Sequence, residues 1–234
     1  MSGNIPPLQF LLLDFDGTLV DSESAFARFD GGLLNEAIRN AGFEVKIEFK
    51  DIRAMAGMTE EEKFNTAEQY VGFDLSAVRE DFLQKRRAGR PSLMRDMQVD
   101  VQKGVSALLE AHGKNCGLAS NKREDKLIRD LEYLGLIRYF EHRVWGAEGR
   151  FTKKPAPDML SHIAKDIHID PSHMAYIGDL PGDMQAAKAA GMLAIGFIDH
   201  TSPVCDAQIL QESGADFIIE DMSELIPSLE QGTK

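Results

Sequence analysis

Cysteine is nearly missing from the sequence: Cys116 and Cys205 are the only two in 234 residues. With Cys116 in a predicted buried strand, neither a disulfide framework nor a thiolate metal site is supported, and a reducing, cytoplasmic location is expected. Long apolar runs are missing too. The run that follows Met1-Ser2-Gly3-Asn4 is short, has no basic residues before it and is interrupted by Asp14, which argues against a signal peptide and a transmembrane span. Basic charge is scarce, with 26 Lys and Arg against 38 Asp and Glu and a formal net charge of -12. No nucleic acid or membrane partner is therefore expected, and an anionic substrate would need a locally positive site. There is no internal repeat and no low-complexity tract, and only Glu230 to Lys234 reads as a loose tail.

What is present is ordinary for a soluble globular chain, 43% hydrophobic and 27% charged, and long enough for one large core with a small second unit. The rest of the chain is organised around Leu11-Leu12-Leu13-Asp14-Phe15-Asp16-Gly17-Thr18-Leu19-Val20. Residues Leu8 to Leu13 are nearly all apolar and follow Pro6-Pro7, so they predict a strand buried on both faces in a parallel sheet. Such a strand delivers Asp14 and Asp16 to the carboxyl edge of the sheet, where open α/β folds bind ligands. Asp16-Gly17 also reads as a turn signal. A turn does not account for Asp14, because a carboxylate directly after a buried apolar run needs a partner, a metal or a chemical task.

After this strand the periodicity becomes helical from Asp21 to about Gln98. Segments from Ser22 to Ala41, Phe49 to Ala56, Thr59 to Tyr70 and Ser76 to Ala88 are separated at Gly42, Gly57, Gly72 and Gly89-Arg90-Pro91. No strand is expected there. Beyond Val99, helix and strand alternate. Helices are expected over Val101 to His112, Arg123 to Leu134, Pro157 to Asp166 and Gly182 to Ala190. Strands are expected over Asn115 to Ala119, Arg143 to Gly146, Met174 to Ile177, Leu193 to Phe197 and Asp216 to Ile219. This order predicts an α/β fold with a doubly wound, mainly parallel sheet and an inserted α-helical cap. The expected division is a core of residues 1-20 and 98-234 and a cap of residues 21-97.

A parallel sheet would gather the residues just past its strands on one edge. These are Asp14 and Asp16, then Ser120 and Asn121, then Gly178-Asp179 with Asp183, while Lys153-Lys154-Pro155 lies in a loop between strands. Taken alone, Ser120 is equally an N-cap, Lys154 a solvated loop lysine, and Asp183 a first-turn acid favoured by the helix dipole. Together they form a cluster of carboxylates, a hydroxyl and an ammonium. Several carboxylates in one cleft repel unless a cation lies among them. Oxygen donors without a His or Cys cluster favour a hard ion such as Mg²⁺, which commonly pairs with phosphate. The helix opening after Ser120-Asn121, with Lys122, Arg123 and Lys126, adds local positive charge.

These residues resemble the haloacid dehalogenase-like hydrolase superfamily over most of the core. Asp14-Phe15-Asp16-Gly17-Thr18-Leu19 matches its first motif, a specific pattern. Ala119-Ser120-Asn121-Lys122 fits the second motif, which alone is weak. Lys154-Pro155-Ala156-Pro157-Asp158 resembles the lysine motif of the branch with an insert after the first strand, the branch that contains phosphoglycolate phosphatases and β-phosphoglucomutases. Tyr176-Ile177-Gly178-Asp179 with Asp183 resembles the acidic fourth motif. One departure is Leu180-Pro181, where the family often carries Ser or Thr.

The resemblance implies a Mg²⁺-dependent phosphatase that acts on a small phosphorylated metabolite, of the sugar phosphate or phosphoglycolate type, as a monomer or small homo-oligomer. Asp14 would attack phosphorus, and Asp16 would give a proton to the leaving oxygen and later take one from water. Mg²⁺ would be held by Asp14, the backbone carbonyl of Asp16, Asp179 and, directly or through water, Asp183. Ser120, Asn121 and Lys154 would hold phosphoryl oxygens, and Thr18 would order the loop. The same motifs suit a β-phosphoglucomutase-like isomerase. A dehalogenase is disfavoured by Asp16, and a phosphorylated receiver domain by the helical insert and the early position of the acceptor.

Overall fold

Four consecutive apolar residues form β1 (Phe10–Leu13), and all four are buried, as a strand covered on both faces requires. The computed structural model describes residues 5–55, 58, 60–89, 99–199 and 206–232. β1 lies inside a six-stranded sheet of order β3-β2-β1-β4-β5-β6. Its other strands are β2 (Cys116–Ser120), β3 (Val144–Gly146), β4 (Met174–Gly178), β5 (Leu193–Phe197) and β6 (Phe217–Ile219). Every pairing among them is parallel, so the expected mainly parallel sheet is present. The register sets Leu13 beside Leu118 of β2 and Ile177 of β4. Three adjacent strands therefore hand their next residues to the same edge.

Helices α5 (Val105–His112), α6 (Glu124–Tyr133), α7 (Ile137–Phe140), α8 (Asp158–Asp166), α9 (Pro181–Ala189), α10 (Ala207–Glu212) and α11 (Ile226–Gly232) flank the sheet. Phe10 and Leu12 of β1 pack with Trp145 and Tyr176 against Met159, Leu160 and Ile163 of α8 and Met184 and Ala187 of α9. Leu11 and Leu13 point to the opposite face and are equally buried. Cys116 is buried and free, and burial pushes its thiol up to about 12. Cys205 lies outside the described residues.

The chain separates into two compact units: one contains residues 5–21, 100–199 and 206–232, the other 22–55, 58, 60–89 and 99. The second consists of α1 (Ser22–Asn40), α2 (Phe49–Arg53), α3 (Glu60–Val71) and α4 (Ser76–Gly89). Its core is apolar, with Ile38, Ile52, Ala67, Leu75 and Phe82 in one cluster. The Asn35 amide fixes the loop after α1, donating to Ile47 O at 2.9 Å and accepting from Ile47 N at 2.8 Å. No strand occurs in this unit among the described residues.

Two expectations need correction. The helix expected from Val101 begins at Val105, because Val101 bridges Val20 and Gln102 N donates to Leu19 O at 3.0 Å. Nor is Glu230 to Gly232 a loose tail, since it completes α11. That helix is anchored by Leu8 N donating to Ser228 O at 3.0 Å, by Ser228 Oγ donating to Ile5 O at 3.1 Å and by buried Leu229. Residues 233 and 234 lie outside the description. Among the described residues no helix is long and apolar enough to cross a membrane.

Candidate active site

The β1 ladder runs one residue past the strand, because Asp14 N donates to Ile177 O at 2.9 Å. This fixes the Asp14 backbone while its side chain reaches the sheet edge. The chain then turns at Gly17, whose φ is +75°, and Gly17 N donates to Val20 O at 2.9 Å. A Cβ at Gly17 would lie 2.2 Å from Asp179 Oδ2. Only glycine fits both this backbone and this approach. Thr18, fully buried, donates from Oγ1 to Asp179 Oδ1 at 2.9 Å, so its hydroxyl orients a carboxylate of the neighbouring strand end. Gln102, which the sequence analysis did not single out, donates from Nε2 to Gly17 O at 3.2 Å and braces the same turn.

Asp179 and Asp183 arrive from the end of β4 and the first turn of α9. Asp183 Oδ2 accepts from Leu180 N at 3.0 Å, which closes the start of the helix that Pro181 opens. A Cβ at Gly178 would lie 2.4 Å from Asp183, so glycine lets the helix pass close to the strand. Asp14, Asp179 and Asp183 each offer an oxygen, all within 4.8 Å of one another. All three are buried.

Lys154 answers this charge. Its Nζ lies 2.6 Å from Asp183 Oδ1 and 2.9 Å from Asp14 Oδ1, and it donates to Tyr176 Oη at 2.5 Å. Burial works against the ammonium, but Asp14, Tyr176 and Asp183 outweigh it and hold its pKa well above the ordinary lysine value. Burial pushes the Asp183 carboxyl up; Lys154 opposes that shift, and the charge of Asp14 adds to it. The loop carrying Lys154 is held by Asn121, whose Oδ1 accepts from Lys154 N at 2.8 Å and whose Nδ2 donates to Lys154 O at 3.4 Å. Asn121, expected to hold a phosphoryl oxygen, thus spends its side chain on the Lys154 backbone.

Tyr176 and Lys122 complete the arrangement. The Tyr176 hydroxyl donates to Ala119 O at 2.7 Å, so it links the residue before Ser120 to the lysine. Burial, then the charge of Asp14, lifts its pKa well above the usual phenol value, which keeps it a hydroxyl. The sequence signal was a phenol inside the apolar run Met174-Ala175-Tyr176-Ile177, since a buried tyrosine needs a partner for its O–H. Ser120 is buried at the end of β2, and its Oγ accepts from Lys122 N at 3.5 Å. Lys122 Nζ donates to Asp16 Oδ1 at 2.9 Å. The Asp16 carboxylate therefore stands apart from the other three, paired with a lysine that the sequence reading gave only as local positive charge.

The donor set fits a hard cation. Asp14 Oδ1 is buried without an aligned hydrogen-bond donor, although the Lys154 ammonium is near it. Three carboxylates converge, only two of them paired with the Lys154 ammonium, and every ligand atom they offer is oxygen, the preference of Mg²⁺-like ions. Asp14, Asp179 and Asp183 are the side chains that would hold such an ion.

Acidic strand ends on β1 and β4, a hydroxyl at the end of β2 and a buried lysine from the β3–α8 loop, all on one parallel sheet, define a haloacid dehalogenase-like core. The profile of the family described as haloacid dehalogenase-like hydrolase matches residues 11–197, and the chain belongs to this family. Phosphoglycolate phosphatase of Escherichia coli K12 is 34% identical over 121 residues, which cover 52% of this chain and 46% of that protein. The match thus spans about half the length of that relative. A haloacid dehalogenase-like protein of unknown function from Agrobacterium tumefaciens is 28% identical, with a TM-score of 0.65 over 97% of this chain and 100% of that one. A family hydrolase from Deinococcus radiodurans, solved with bound phosphate and sodium, has a TM-score of 0.72 at 23% identity over 94% of each chain; this likeness is one of fold.

Proposed function

We propose that the protein is a Mg²⁺-dependent phosphatase that hydrolyses a small phosphorylated metabolite through an aspartyl-phosphate on Asp14. The observation that carries this reading is the Asp14 carboxylate. It is fixed at the end of β1, buried, 2.9 Å from the Lys154 ammonium and without an aligned donor on Oδ1. A carboxylate so placed is available to a metal and to an electrophile.

In the first step an Asp14 oxygen attacks phosphorus as the bond to the ester oxygen breaks, and Asp16, in its acid form, gives that oxygen its proton. In the second, Asp16 takes a proton from water as the water oxygen attacks the phosphorus of aspartyl-phosphate, which restores Asp14 and releases inorganic phosphate. Ser120 and the Lys154 ammonium hold the phosphoryl oxygens, Asn121 fixes the loop of Lys154, and Thr18 fixes Asp179. Bound Mg²⁺, held by Asp14, Asp179, Asp183 and the backbone of Asp16, would supply positive charge that offsets the repulsion between substrate and carboxylates. The helical insert, with the boundaries 21–97, serves as the cap of this enzyme, and its place of action is the cytoplasm. Similarity to the E. coli phosphatase supports phosphoglycolate as substrate, and a sugar phosphate is the other candidate.

The test is phosphate release from a panel that includes phosphoglycolate and glucose 1-phosphate, with and without Mg²⁺, by the native protein and Asp14→Asn. Metal-dependent release that Asp14→Asn abolishes supports the proposal. Conversion of glucose 1-phosphate to glucose 6-phosphate with little phosphate released would replace it with the isomerase, and no turnover of any ester would overturn both.

A further inference from the structure

We infer that Lys122 is a positioning residue that sets which oxygen of Asp16 handles the proton; this rests on the phosphatase reading above. Lys122 lies in the loop between β2 and α6, two residues after Ser120, and Asp16 lies in the turn after β1. Nζ of Lys122 donates to Asp16 Oδ1 at 2.9 Å. The same ammonium lies 4.5 Å from the centre of the buried Phe15 ring and 3.8 Å from Asp130 Oδ2 on α6. The ammonium is thus flanked by a carboxylate that accepts from it, an aromatic face and a second carboxylate, with about a quarter of the side chain exposed, 27%, so its direction toward Asp16 is set by more than one neighbour.

The consequence follows from what a carboxyl group can do. An N–H aimed at Oδ1 occupies that oxygen as an acceptor in both protonation states. In the acid form the proton then sits on Oδ2, and that O–H is the only donor the carboxyl presents. When the ester bond breaks, the Oδ2 proton passes to the leaving alcohol oxygen, and Asp16 becomes a carboxylate still anchored through Oδ1. In hydrolysis the same Oδ2 takes a proton from water. Without Lys122 the carboxyl rotates freely and its proton is shared between two oxygens, so fewer encounters place the donor on the ester oxygen.

This role depends on the leaving group, which separates it from a role in folding or in phosphate binding. An alkoxide leaves poorly and needs the proton, whereas p-nitrophenolate leaves well without one. The experiment measures kcat/KM, which reports only steps up to transfer of phosphorus to Asp14, for phosphoglycolate and for p-nitrophenyl phosphate with Mg²⁺. For Lys122→Met we expect a fall of about 100-fold on the alkyl ester, the scale of a positioned general acid, and of about threefold or less on the nitrophenyl ester. Lys122→Arg, which keeps the charge and an N–H donor, should recover most of the loss. Equal falls on both esters, or a Lys122→Arg variant as impaired as Lys122→Met, would overturn the inference. A native protein that releases phosphate from no ester of the panel above would overturn the phosphatase reading, and the inference with it; a native protein active on an alkyl ester of that panel and on the nitrophenyl ester, with an indifferent Lys122→Met, would overturn the inference alone.

Discussion

Tyr176 makes its contribution through one oxygen. Its ring is part of the core beside Trp145 and Met184, and its hydroxyl accepts from Lys154 Nζ while donating to Ala119 O. The substitution Tyr176→Phe keeps the ring and removes the bridge, leaving a buried carbonyl and one ammonium N–H without partners. Such losses cost about 1–3 kcal/mol, which should appear as a lower urea midpoint with an unchanged slope. Lys154 would keep its two carboxylates but lose the contact that aims it, so turnover should fall about tenfold, equivalent to about 1.4 kcal/mol of barrier. A Tyr176→Phe variant with lowered stability and native turnover would show that the phenol only fills the core.

At the scale of elements, the short helices are held by their caps. The 3₁₀ turn Met222–Leu225 that leads into α11 is opened by Asp221, whose Oδ1 accepts from Ser223 N at 2.9 Å and from Ser223 Oγ at 2.6 Å. Glu224 Oε1 reaches back to Asp221 N at 3.1 Å and completes a capping box. The hydrogen bonds from the Ser223 side chain and backbone, more than the nearby Lys103, hold the Asp221 carboxyl below the ordinary aspartate value. A folded-state pKa below the unfolded one means stability that is present above the unfolded value and lost as pH falls through the folded one. Asp221→Ala should therefore cost about 1 kcal/mol near neutral pH. In urea titrations that gap between native protein and variant should narrow as the pH drops below about 4, and a gap that persists at acid pH would refute the charged cap.

The same scale shows what the sequence could disclose. Strands such as Leu8 to Leu13 and Met174 to Ile177 were legible because burial on both faces leaves an uninterrupted apolar run, and the parallel order followed from alternation with helices. Asp14, Ser120 and Asp179 stood out as candidates because each ends or follows such a run, where a polar residue is out of place, whereas Asp183, in the first turn of a helix, stood out only in company with Asp179. α11 was not legible, because Ser228 and Leu229 are its buried residues, too few to set a helical period, and its anchor to Leu8 is a backbone hydrogen bond. The clasp of Asn121 on Lys154 and the pairing of Lys122 with Asp16 join residues 33 and 106 positions apart. Spacing along a chain does not encode such distances, so only the folded sheet edge reveals them.

For the whole molecule, the decisive imbalance is one of charge. A chain with a formal net charge of -12 places an oxygen from each of three buried carboxylates within 4.8 Å of the others and sets one buried ammonium against two of them. Bringing like charges together in a dry site destabilises the fold, and Lys154 offsets only part of it. A divalent cation that binds the folded protein and not the unfolded chain should therefore stabilise the whole molecule by mass action. At about 100 times the dissociation constant this amounts to about 2.7 kcal/mol, or a rise in melting temperature of about 5–10 °C for a chain of this size. The rise should follow Mg²⁺ concentration, be absent with Na⁺ at equal ionic strength and disappear in Asp179→Asn, which removes a ligand charge while keeping the shape. This measurement is independent of turnover. A melting temperature indifferent to Mg²⁺ would mean that Lys154 alone balances the cluster, and one equally raised in Asp179→Asn would mean that the metal binds elsewhere.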